Sequence, residues 1–96
     1  MIDIKISKVP NSRHSEVDFS NLVFGKEFSD HMFIADYDGK EWKNFRIQPY
    51  GPIPLSPSLS CMHYGQAIFE GMKAYRAVDN TIQIFRPYDN FKRMNE

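Results

Sequence analysis

Hydrophobic and polar positions alternate in several short stretches of this chain, and each stretch predicts extended backbone. Ile2, Ile4 and Ile6 are separated by Asp3 and Lys5, which predicts a short strand or an extended arm. From Val9 to Ser20 the residues are mostly polar and include Pro10, the pattern of a surface connection. "NLVFGKEF" brings apolar residues back around Gly25. "HMFIADYD" (31–38) and "EWKNFRIQ" (41–48) read as two strands joined at Asp38-Gly39, a tight-turn signal. Pro49, Pro52, Pro54 and Pro57 then forbid regular structure and predict a stiff, extended loop.

Beyond the prolines the period changes. Ser60 is placed to cap a helix on which Tyr64, Ala67 and Ile68 share a face, with Gly71 as its C-terminal stop. Gly65 inside such a helix would cost about 1 kcal/mol relative to alanine, which points to a close backbone approach there. "KAYRAV" and "TIQIF" flank Asp79-Asn80 and predict a hairpin. Pro87 opens a last helix, "PYDNFKRMNE", with Asp89 near its start and Phe91 and Met94 on one face. The order of elements predicts an α+β fold, an antiparallel sheet with flanking helices. The sequence stops within that last helix without a cap, so the expectation is an N-terminal piece of a longer chain.

Composition narrows the function classes. Hydrophobic residues make up 42% of the 96, enough to build a core, and the 12 basic residues balance the 12 acidic ones. Balanced charge removes the electrostatic case for nucleic acid or an anionic membrane as partner. A single cysteine, Cys61, allows no internal disulfide. The first ten residues carry charges throughout, unlike a secretory signal, and no stretch approaches the roughly 20 apolar residues of a membrane helix. A cytoplasmic location is the expectation.

Candidate chemistry is sparse when read from residue types. His14, His31 and His63 lack metal-ligand spacing with Cys61, and phosphate-loop and dinucleotide fingerprints are absent. Lys73 invites a Schiff-base role, but a lysine in a hairpin strand is ordinarily a solvated side chain. Arg93 is read as lying near the start of the last helix, beside free amide donors that favour anions. Its planar fork suits phosphate, although most arginines in such places are surface residues. Tyr64 and Phe69 would ordinarily be core aromatics.

Four blocks shift these odds. "FGKEFSDHM", "IQPYGPIPLSPSLS", "HYGQAIFEGMKAYR" and "IFRPYDNFKRM" together resemble the N-terminal region of the branched-chain aminotransferases, in the fold-type IV class of pyridoxal-phosphate enzymes. The likeness runs from about Asn21 to Glu96. It divides the chain into an N-terminal arm, 1–20, and part of the aminotransferase small domain, 21–96. The resemblance implies pyridoxal 5'-phosphate as cofactor, with Arg93 on its phosphate. Tyr64 would line the substrate side, and Phe69 and Phe24 would wall a pocket for an aliphatic side chain. It implies amino transfer between leucine, isoleucine or valine and 2-oxoglutarate, in a homo-oligomer such as a homodimer, and no metal. The family's Schiff-base lysine has no counterpart within residues 1–96, so the piece alone is expected to be inactive, and Lys73 is a bystander. Two rivals stay open: another fold-type IV enzyme, such as a D-amino-acid transaminase or an aminodeoxychorismate lyase, and a non-catalytic binding or assembly module.

Overall fold

The computed structural model describes all 96 residues, which form two compact units, Met1–Ile53 and Pro54–Glu96. In the first unit β1 (Lys5–Ile6), β2 (His31–Tyr37) and β3 (Trp42–Pro49) form a sheet in the order β1-β3-β2. The hairpin of β2 and β3 falls on the two expected runs, and Asp38 Oδ1 shapes its turn by accepting from the Lys40 and Glu41 N–H groups. Gly39 takes φ +95°, a conformation few other residues adopt.

The pairing slips once. Phe33 faces Ile47 and Ile34 faces Arg46, but Asp36 faces Lys43, so one residue of β2 opposes two of β3. Asn44 sits in this bulge at φ +54°, where asparagine is better tolerated than most side chains. Asp36 ties the bulge together by accepting from Asn44 Nδ2 (3.1 Å) and Arg46 Nη1 (3.1 Å). That cluster lowers the Asp36 pKa, through the Asn44 hydrogen bond first and Arg46 second.

Residues 1–20 fall within this first unit. Lys5 and Ile6 pair with Arg46 and Ile47, and the pairing is parallel, which corrects the expectation of a wholly antiparallel sheet. Isoleucine alternation carries no information about strand direction. Asp30 anchors the next stretch: its carboxylate accepts from Ser12 Oγ (2.5 Å) and the Arg13 N–H (3.1 Å), and the Val9 N–H donates to His31 Nε2 (3.0 Å).

In the second unit α1 (Ser60–His63) is a single turn, not the longer helix that the spacing of Tyr64, Ala67 and Ile68 predicts. Leu59 takes the cap position, and Ser60 is the first helical residue and makes no capping bond. The helix ends because Gly65 turns left-handed at φ +62°, well before Gly71. A Cβ on Gly65 would meet nothing within 4 Å, so backbone conformation, and no close approach, explains this glycine. The second hairpin falls where expected, with β4 (Ala74–Arg76) antiparallel to β5 (Ile82–Ile84) and Asn80 at φ +66° between them. Then α2 (Pro87–Met94) begins on its proline.

No residue of either unit is buried. Two separate globules sharing this mass equally would expose roughly 6,900 Å² together, whereas the chain exposes 9296 Å². The apolar residues are numerous enough for a core, but these strands and helices are too short and too few to enclose them.

Candidate functional site

Glu70 organises the second unit. It lies in the irregular segment between Gly65 and β4, and its carboxylate meets donors from α2. Arg93 Nε donates to Oε2 (2.8 Å), and Arg93 Nη2 donates to Oε1. Asn90 Nδ2 donates to Oε1 (3.0 Å) and also to the Gly71 carbonyl (2.8 Å). Asn90 and Arg93 are three residues apart on α2, which puts both donors on one face of the helix.

Exposure within the pair is lopsided. The Glu70 side chain is 7% exposed and that of Arg93 is 69% exposed. The Arg93 guanidinium, helped by Asn90, lowers the Glu70 pKa from 4.5 to about 2, against the opposing effect of burial. Glu70 in turn raises the pKa of Arg93. An arginine carries five N–H donors, and the carboxylate takes one from Nε and one from Nη2. Both N–H groups of Nη1 and the second of Nη2 are not engaged by it. Those on facing nitrogens form a fork that matches two oxygens of a phosphate or carboxylate.

The expected position of Arg93 needs correction. It is the last residue but one of α2, in the C-terminal turn, because the helix begins at Pro87 and ends at Met94. The free backbone groups there are carbonyls, which favour a cation and repel an anion. Any anion affinity at this place must therefore come from the guanidinium itself.

Phe69 and Arg93 line one recess of ≈ 430 Å³ with Ile68, Glu70, Gly71 and Met94 among its walls. Phe69 is 94% exposed, an aromatic face with nothing against it. Tyr64 ends α1, its N–H bonded to the Ser60 carbonyl (2.8 Å), and the residue is 85% exposed outside that recess. Phe24 belongs to the first unit, in a turn closed by the Lys26 N–H on the Val23 carbonyl (3.1 Å), and it too is fully exposed. A larger recess of ≈ 610 Å³ in the first unit holds none of these residues; of its charged groups, Arg13 and Asp30 are engaged with each other and Asp30 also with Ser12, and Glu27 is among its lining residues. Lys73, the residue before β4, is exposed and outside the Arg93 recess.

Glu70 and Asn90 were not singled out by residue type. The signal for Asn90 is its spacing of three from Arg93. Glu70, 23 residues away from Arg93, has no such local signal.

No protein-family model matches the chain. Among curated proteins it is similar to branched-chain-amino-acid transaminase 1 of Bacillus subtilis, with 53% identity over 79 residues, covering 81% of this chain and 22% of that protein. The cytosolic branched-chain-amino-acid aminotransferase of Saccharomyces cerevisiae is 45% identical over 99% of this chain and 26% of its own length. Branched-chain-amino-acid aminotransferase 2 of Bacillus subtilis is 40% identical over 93% of this chain and 25% of its own length. The yeast match takes in residues 1–20 as well, which carry no motif of their own. The chain spans about a quarter of the length of the curated relatives it matches.

Proposed function

We propose that residues 1–96 furnish part of the cofactor and substrate site of a fold-type IV branched-chain-amino-acid aminotransferase, the activity in the names of the relatives above. The observation that carries this reading is Arg93, held by Glu70 on one edge, with N–H donors left over and Phe69 in the same recess. Those donors fit the phosphate of pyridoxal 5'-phosphate: a planar fork, exposed, on an element that the carboxylate fixes. When bound, the cofactor supplies the carbonyl that takes up an amino group and the conjugated ring that spreads the charge left at the α-carbon.

The chain's own residues bind and orient. Arg93 anchors the phosphate, Phe69 walls the substrate side in the same recess, and Tyr64 and Phe24 carry the substrate roles that the family's motifs imply for them. A leucine, isoleucine or valine side chain offers no hydrogen bond, so it is recognised by apolar shape, which exposed aromatics supply once other surfaces close over them. The partner substrates are a small amino acid and a 2-oxo acid, and the assembly is a homo-oligomer. The complete gene product carrying residues 1–96 is expected to transaminate leucine, isoleucine and valine with 2-oxoglutarate and to leave D-alanine untouched. Tyr64→Phe should keep cofactor affinity and lower turnover. Activity on D-alanine alone, or no transamination at all, would refute the reading.

A further inference from the structure

The geometry points to Glu70, seconded by Asn90, as the positioning residue that presets Arg93 for a phosphate monoester. The inference rests on the reading of Arg93 as the phosphate anchor and adds how its guanidinium is oriented. A free arginine side chain would lose most of its rotamer freedom on meeting an anion. Here that freedom is already spent. Nε and Nη2 are fixed on the two Glu70 oxygens, and the carboxylate is itself held by Asn90, whose amide also reaches the Gly71 carbonyl. Asn90 and Arg93 share a helix face, so α2 presents both donors to one acid.

The charge balance makes the inference testable, because the opposite role predicts the opposite sign. If Glu70 were a competitor for the guanidinium, removing its charge would strengthen anion binding. If Glu70 positions Arg93, removing its charge weakens binding, although the local potential becomes more positive. In Glu70→Gln an amide N–H would face an arginine N–H, so the two parallel bonds cannot both form.

The experiment compares pyridoxal 5'-phosphate with pyridoxal on the complete gene product, because the ratio of the two affinities isolates the phosphate. Glu70→Gln should lower that ratio roughly 5- to 30-fold and leave pyridoxal affinity unchanged. Glu70→Asp, which keeps the charge, should recover part of the loss. Asn90→Ala should shift the ratio the same way by less, and it decides the matter if Glu70→Gln does not fold. A higher ratio in Glu70→Gln would overturn the inference in favour of competition. Equal losses for both ligands would overturn it in favour of a purely structural role. Arg93→Ala separates the two layers: if it leaves the ratio unchanged, the phosphate anchor itself is wrong. If it lowers the ratio and neither Glu70→Gln nor Asn90→Ala does, only the positioning role fails.

Discussion

Arg93 grips Glu70 through two parallel hydrogen bonds, with the acid almost out of water and the base mostly in it. Glu70 therefore ionises at about pH 2 in the folded chain, against 4.5 ordinarily. A depressed folded pKa means that the pair's stabilisation is fully present above about pH 4.5 and is lost as pH falls toward 2. A carboxyl-carbon NMR titration should find Glu70 charged at pH 3, and Arg93→Ala should return its midpoint toward the ordinary range. A wild-type midpoint near 4.5 would show that the pair does not hold in solution.

The bulge in β3 makes a separate demand on position 44. Asn44 occupies a left-handed conformation and donates to Asp36. Asn44→Gly should keep the backbone and lose only that bond. Asn44→Val should cost about 1–2 kcal/mol more, since a β-branched side chain is strained at positive φ. Urea melts of the complete gene product would rank the two, and equal stability would argue against the bulge.

Both hairpins and α2 were legible because their evidence is local: alternating residues, Asp-Gly and Asp-Asn turns, a proline at the first helical position. The bulge left a trace, since Trp42 and Phe45 are three apart where a regular strand would place them two apart. The length of α1 was misread because a glycine at position 65 is equally compatible with a costly helix interior and a left-handed stop. The Glu70–Arg93 pair was illegible. It depends on where an irregular segment passes an adjacent helix, and no local rule specifies that.

Residues 1–96 on their own should acquire no stoichiometric adduct at one lysine when treated with pyridoxal 5'-phosphate and borohydride. All seven lysines are exposed, and Lys43 is engaged by Asp38 at 2.8 Å. A reactive amine needs a desolvated or strongly electropositive place. Peptide mapping that found a single, fully labelled lysine would contradict this.

Self-association of residues 1–96 is the expected solution behaviour. No apolar residue is buried, β2 is a seven-residue edge strand, and Ile82, Phe85 and Phe91 are exposed in the second unit. Edge strands and uncovered apolar surface recruit further copies. Light scattering should show mass rising with concentration, and Phe33→Lys on the β2 edge should reduce it. A monodisperse monomer with a cooperative melt would contradict the absence of a core.

Gly65 carries one more implication. Its φ of +62° excludes ordinary side chains by handedness alone, since the space around a Cβ there is empty. A residue of mirror-image chirality is comfortable at that dihedral. D-Alanine introduced at position 65 by chemical ligation should carry no backbone strain and should restrict the unfolded chain, a stabilisation of about 0.4–1 kcal/mol. L-Alanine, with the same atoms, should destabilise.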